Sequence, residues 1–398
     1  MPILTQPLLD RIHGRAAGYD RDNAFFTDDF DELVAAGYTR ALVPASLGGG
    51  GLTLAELVRE QARLARAAPA TALAIGMHLI WTGVAKTLQD RGDDSLDFVL
   101  REAAAGEIYA FAISEAGNDQ VLFASTTVAE PRAGGYAFTG TKVFTSLSPV
   151  WTRLGTFGLD TTSPDAPKLV HGVIVRDQPG IEVLPDWDTV GMRATQSHST
   201  RLSEAIAVDK RMLRRLDPGP NADPLVFGIF ANFEILVAAV YAGIGDRALE
   251  LAAAAATSRV SSATGRPRSE DPVVRWKIAD AAMARDALWP RLDAPAAAVD
   301  SAATDPSADL GDQWFRQLTG LKLAATTTAR FIVDQAIAVT GGGTYAASSE
   351  LGRLYRDVLA GGFHPSSADS VHSTVATSIL GPIPAEPPAS HHTTEETP

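Results

Sequence analysis

The 398-residue chain has no cysteine, which excludes a disulfide framework, thiolate catalysis, cysteine-ligated metal and iron–sulfur clusters. It is poor in basic residues. Against 47 Asp and Glu it carries 34 Lys and Arg, a formal net charge of −13, whereas a nucleic-acid binder needs basic density to displace counterions. Long apolar runs are also scarce. Asp10, Arg11 and His13 break the first apolar stretch, so no signal-peptide core is read there, and the run from Ile235 to Ile244 is half the ~20 residues needed to span a bilayer. No membrane association is expected, and the expected setting is the cytoplasm. None of the eight histidines forms a metal-spaced pair with a third ligand, so no metal is expected. What the chain does have is 45% hydrophobic residues, enough for a large core, and a length that suggests two or three domains.

The hydrophobic period changes twice along the chain. From Pro7 to about Gly106 it is helical, as in Leu73, Met77, Leu79 and Ile80. Thr53 three residues before Glu56 reads as a capping box opening a helix, and the preceding Gly48–Gly51 run, with no Lys-Ser/Thr after it, reads as a turn. Between about Ile108 and Val208 the period is two. Tyr136 to Phe144 alternates, Lys168 to Val175 is a β-branched strand, and Gly134-Gly135 and Pro179-Gly180 supply turns. Strands without intervening helices imply an antiparallel sheet or barrel. After Pro218 the helical period returns, and Ile229, Phe233, Leu236, Val237, Val240 and Tyr241 make a face broad enough for a central bundle helix. Pro290 and Pro306 are expected to break a later Ala-rich helical region.

Four segments in this order carry a resemblance: Ala112-Ile-Ser-Glu-Ala-Gly-Asn-Asp119, Gly140-Thr-Lys-Val-Phe-Thr-Ser146, Gly191-Met-Arg-Ala-Thr-Gln-Ser197, and Thr340-Gly-Gly-Gly-Thr-Tyr345 followed by Arg356-Asp357. Together they resemble the acyl-CoA dehydrogenase superfamily of flavoproteins over residues 20 to 380. The resemblance implies an α+β, mostly α fold: an N-terminal helical domain (1–107), a middle antiparallel β-barrel (108–217) and a C-terminal four-helix bundle (218–381), followed by a disordered tail (382–398). It implies a flavin, FAD with FMN possible. Ser114, Phe144 and Ser146 would lie against the ring, while Arg259 and the turn at Gly341 and Gly342 would meet the pyrophosphate, Arg259 across a subunit boundary. Homotetramers are usual in the family. The residue types suit the task, since a flavin needs an aromatic plate beside a polar donor, and Phe144 and Ser146 would supply both from one strand face.

The chain departs from the family at the catalytic base. The glutamate that usually follows the Arg-Asp motif falls on Pro365, and the alternative position on the central helix falls on Phe233. Glu234 is next to it, about 100° around the helix, which argues against its substituting. His364, between Gly361-Gly362 and Pro365, can exchange a proton near neutrality, and its offset resembles that of a histidine in the flavin monooxygenase branch, of which dibenzothiophene monooxygenase is one member. His78 resembles a pocket histidine of that branch. His364 is therefore the candidate acid–base group, and His78, Phe233 and Glu234 are candidate substrate-pocket residues. His198 and His372 are possible pocket neighbours, while His13, His171, His391 and His392 are read as surface. Three readings stay open. One is dehydrogenation of an acyl-thioester or related small substrate with a non-glutamate base. Another is a two-component monooxygenase that uses reduced flavin and oxygen on a hydrophobic small molecule. The last is a non-catalytic member. The partners expected are a small-molecule substrate and a flavin reductase or electron-transfer protein.

Overall fold

The computed structural model describes residues 2–383, apart from 119, 121, 303 and 306–309. From residue 384 the expected disordered tail lies outside the described residues, as do Pro306, His391 and His392. The first part is helical: α1 (Gln6–Asp22), α2 (Thr27–Ala35), α3 (Leu54–Ala67), α4 (Pro69–Asp90) and α5 (Asp97–Ala104). The capping box forms at α3. Thr53 Oγ1 accepts from the Glu56 amide at 3.1 Å, and the Glu56 carboxylate accepts from the Thr53 amide at 2.9 Å. The glycine run ahead of it is a turn folded back on the chain: a Cβ on Gly49 would stand 2.1 Å from the Val43 carbonyl oxygen.

Eight strands follow among the described residues: β1 (Tyr109–Ala112), β2 (Val128–Arg132), β3 (Gly135–Lys142), β4 (Arg153–Asp160), β5 (Lys168–Val175), β6 (Ile181–Val183), β7 (Thr200–Val208) and β8 (Met212–Leu216). Their order is β6-β7-β3-β2-β4-β5-β8, with β1 also pairing β4. The expected antiparallel barrel is corrected on two counts. β1 and β2 run parallel to β4, so the sheet is mixed, and β6 and β8 end the ladder without pairing each other, so it is open. Strand β5 is covered on both faces from Leu169 to Ile174. His171 is therefore buried, not on the surface as expected, and stacks on Phe157 of β4 at 5.2 Å. In a doubly covered strand the alternation that marks a solvent face is lost.

The chain then returns to helix with α6 (Pro224–Ser258), α7 (Pro272–Ser301), α8 (Trp314–Thr340), α9 (Glu350–Leu359) and α10 (Ala368–Leu380). Asp223 caps α6 by accepting from the Leu225 amide at 2.8 Å. Helix α6 is apolar all round because it packs against α3, α4, α7 and α8 at once. By length and composition it could cross a membrane, but its apolar stretch is wholly buried inside the protein. Pro290 does not break α7, which runs on through Pro290 and Pro295. A proline removes one hydrogen bond, and the packing of α7 against α6 and α8 carries the helix past it.

Candidate active site

Two of the four resembling segments are joined by a buried ion pair. Lys142, at the end of β3, places its ammonium 2.5 Å from Glu115 Oε1, and both side chains are fully shielded from solvent. The ammonium also donates to the Phe157 carbonyl at 2.7 Å and lies 4.4 Å from the Phe157 ring centre. Glu115 accepts further bonds from the Ser125 hydroxyl (2.6 Å), the Thr126 amide (2.7 Å) and the Asn118 amide group (3.0 Å). Burial works to raise the Glu115 carboxyl, but Lys142 and these donors override it and hold the group well below the usual carboxylate range. Burial lowers Lys142 to about 8 against the pull of Glu115. The pair fixes the loop after β1, with Ser114, against the segment after β3, with Phe144.

Beyond Lys142 the chain leaves the sheet, so Phe144 and Ser146 do not share a strand face as the alternation predicted. Phe144 takes φ 58°, in the left-handed region, and stands 54% exposed with its ring edge-on to Trp187 at 6.1 Å. Ser146 turns inward, 2.7 Å from the Ser197 hydroxyl, which is itself 2.7 Å from the Thr195 hydroxyl. A bend thus brings together the aromatic plate and the hydroxyl that the strand was expected to supply.

The facing wall is built by α6 and the loop after α9. His364 Nε2 and the Tyr241 hydroxyl share a 2.8 Å hydrogen bond. Lys322 of α8 donates to the His364 carbonyl at 2.9 Å and to the Ser366 carbonyl, clamping the loop from behind. The Ser366 hydroxyl donates to Glu234 Oε1 at 3.2 Å. His364 presents part of its ring to the cavity, yet the surrounding protein pushes its pKa down to about 3, with the Lys322 charge adding to the effect. At neutral pH it is a neutral imidazole. Burial raises Glu234 above ordinary carboxylates, opposed by Lys322, and the same burial lowers Lys322. Phe233 stacks on Phe111 at 5.3 Å.

Between the walls lies a cavity of about 750 Å³, bordered by Ser114, Phe144, Phe233, Glu234 and His364. A second lobe of about 310 Å³ shares Ser114, Phe144, Phe233 and His364 with it and adds Ser146 and Arg356. Both sizes fall in the range of ligand sites, ~300–1,000 Å³. An exposed aromatic plate beside paired hydroxyls, with a neutral imidazole opposite, fits a flat redox ring. The third and fourth segments close the smaller lobe. A Cβ on Gly191 would stand 2.1 Å from the Arg356 carbonyl oxygen, so only glycine permits this approach, and Asp357 accepts from the Met192 amide at 2.6 Å.

The sequence-derived candidates thus separate into groups. Ser114, Phe144, Ser146, Phe233, Glu234 and His364 converge on the cavity. Glu234 borders the cavity beside Phe233, as expected of a pocket residue, where the 363–366 loop folds over α6. Arg259 meets the glycine turn by donating to the Thr340 carbonyl and lies 3.9 Å from a Cβ built on Gly343, but this cluster, with Gly341 and Gly342, borders neither lobe. His78 is not a pocket residue. Its Nε2 bonds the Thr39 carbonyl at 2.8 Å and its Nδ1 accepts from the Tyr109 amide at 3.0 Å, so it ties α4 to β1, and burial lowers it to about 4. His198 is likewise structural, accepting from the Asp186 and Trp187 amides, and His372 is exposed on α10. Tyr241, Lys322 and Ser366 escaped the sequence reading. Tyr241 lies 123 residues from His364, and its position on the apolar face of α6 reads only as core.

Comparison with known proteins places this geometry among flavin enzymes. The family model "Acyl-CoA dehydrogenase, C-terminal domain" matches residues 235–368. L-evernosamine nitrososynthase from Micromonospora sp. (strain ATCC 39149 / NRRL 15099 / SCC 1413) is 31% identical, with 89% of this chain and 84% of that protein covered. The putative acyl-CoA dehydrogenase YdbM of Bacillus subtilis (strain 168) is 29% identical, covering 92% of each. Among solved structures, KijD3 in complex with FMN and dTDP-3-amino-2,3,6-trideoxy-4-keto-3-methyl-D-glucose superposes with a TM-score of 0.80 at 29% identity, covering 94% of this chain and 91% of that one.

Proposed function

The chain belongs to the acyl-CoA dehydrogenase superfamily and is a flavin-dependent oxidoreductase; from that premise we propose that it is a monooxygenase, taking reduced flavin from a separate reductase and oxygenating a small molecule. The observation that carries this reading is His364, a neutral imidazole on the cavity wall next to Pro365, the residue that stands where the resemblance puts a dehydrogenase's glutamate. The nitrososynthase and the amino-sugar complex of KijD3 support oxygenation at nitrogen.

In this reading the flavin supplies the electrons that activate oxygen. Phe144 would form its plate, with Trp187 edge-on behind it, and the Ser146 and Ser197 hydroxyls would be the donors available to its ring edge. With its pKa at about 3, His364 does not exchange a proton near neutrality as the sequence suggested; it would act on the reacting atoms as a neutral hydrogen-bonding imidazole, while Tyr241 holds Nε2 and Lys322 holds the loop. FMN would use the Phe144 side alone. FAD would also engage Arg259, Gly341 and Gly342, in a homotetramer where that cluster meets a neighbouring subunit's cofactor. Exposed Trp276, Met283 and Tyr345 on the same helical part support such an assembly.

Replacing His364 by Ala or Phe tests the assignment. Flavin affinity and folding should change little, while oxygen-dependent product formation should fall about a hundredfold. Unchanged turnover would remove His364 from the chemistry. One observation favours dehydrogenation instead: Glu234 is a buried carboxyl on the cavity wall. In that case hexanoyl-CoA should bleach the oxidised flavin without oxygen, and Glu234→Gln should abolish the bleaching.

A further inference from the structure

The larger lobe is lined by carboxylates and aromatic rings. Among its described lining residues there is no Lys or Arg, while Glu115, Asp186 and Glu234 all border it. Glu115 is neutralised by Lys142, and Asp186 Oδ1 accepts from the Ser199 amide at 2.9 Å. Glu234 differs from both. It is fully buried, Ser366 satisfies only Oε1, and Oε2 has no hydrogen-bond partner among the described residues. Lys322, whose charge works against the effect of burial on Glu234, directs its hydrogen bonds to the His364 and Ser366 carbonyls. A buried carboxylate oxygen without a donor is costly, and burial of this kind persists where a ligand completes it.

The rest of the lobe suits a cation as well. Phe123, Phe230 and Phe315 border the space and pack at 4.7–6.0 Å between ring centres, an aromatic cluster of the kind that attracts cations. Among the described residues, none lining the lobe is a cation that would neutralise a diphosphate or a CoA phosphate. In the smaller lobe the one arginine, Arg356, is already paired with Asp20.

We infer that Glu234 is the substrate-binding residue for an amine: the enzyme takes a small aromatic or aliphatic amine carrying no phosphorylated handle, whose nitrogen completes Oε2. The inference rests on the monooxygenase reading for what happens next, and on the cavity alone for binding. An ammonium arriving at Oε2 passes one proton to the carboxylate (R–NH3⁺ + –COO⁻ giving R–NH2 + –COOH), which frees the nitrogen lone pair for oxygenation.

Calorimetric titration of the flavin-loaded protein with benzylamine, benzyl alcohol, benzoate and thymidine diphosphate tests this. The amine should bind ten- to a hundredfold tighter than the alcohol, the range expected for a charge-assisted hydrogen bond, and both anions should bind more weakly still. Glu234→Gln should bring benzylamine down to the level of the alcohol. The alcohol matching the amine in the unsubstituted protein, an amine preference that survives Glu234→Gln, or tighter binding of thymidine diphosphate would each overturn the inference. The unsubstituted protein decides the point even if the variant does not fold. Because no turnover is required, amine binding without oxygenation would sustain this assignment and refute only the monooxygenase reading.

Discussion

Removing either partner of the Lys142–Glu115 pair should destabilise the protein unequally and with opposite pH dependence. Breaking a buried ion pair costs about 3–5 kcal/mol, because one charge is left without compensation. In Lys142→Met the stranded Glu115 keeps donors from Ser125, Thr126 and Asn118, so the loss should be near ~3 kcal/mol. In Glu115→Gln the stranded ammonium keeps the Phe157 carbonyl and the face of that ring, so the loss at pH 7 should be nearer ~5 kcal/mol. The signs follow from linkage. Lys142 has a folded pKa near 8, below its ordinary 10.5, and losing Glu115 lowers it further. The unfolded chain then binds the extra proton up to about pH 10.5, so stability rises with pH and Glu115→Gln should recover toward pH 9. Lys142→Met has the reverse behaviour. Without its partner the buried Glu115 carboxyl rises, the folded state takes up a proton first, and the deficit shrinks as pH falls toward 5. Urea melts of both variants at pH 5, 7 and 9, with flavin affinity measured alongside, provide the assay. Equal losses that do not move with pH would refute the account of how Ser114 and Phe144 are held together.

Two further outcomes test the packing around the site. His171→Phe should be neutral or stabilising at pH 7, because both imidazole nitrogens are buried without partners against Phe157. Burial, with the charges of Lys142 and Arg214, lowers its folded pKa to about 3, so the native state stays neutral while the unfolded chain protonates below about 6.5. Stability is therefore lost as pH falls through that window, and the variant should gain about a further 2 kcal/mol at pH 5, measurable by urea titration. Gly191→Ala forces a methyl group to within 2.1 Å of the Arg356 carbonyl, a backbone atom that cannot rotate away. It should cost about 2–3 kcal/mol in thermal melts and weaken flavin binding.

Much of the architecture was legible because hydrophobic period reports burial on one face. The strand from Lys168 to Val175, the Thr53 cap and the core helix could all be read that way. The reading failed where burial has more than one face. His171 sits in a strand covered on both sides, and α6 is apolar all round, so neither position betrays its neighbours. The mixed, open sheet was illegible because pairing of β1 with β4 joins residues such as Tyr109 and Arg153, whose direction no local pattern records. In the site, His364 stood out through its flanking glycines and proline. Tyr241 and Lys322 are brought to it only by tertiary folding, one from α6 and one from α8.

We propose oxygen transfer at a flavin beside the His364 imidazole, and isotope labelling can follow that oxygen. The most direct measurement mixes the reduced, flavin-loaded protein with ¹⁸O-labelled oxygen and a panel of small aromatic amines and thioethers, followed by mass spectrometry of the products. The account predicts one labelled oxygen atom in a product, lost when His364 is replaced by Ala. Reoxidation that yields only hydrogen peroxide across the panel, together with anaerobic bleaching of the oxidised flavin by hexanoyl-CoA, would contradict it.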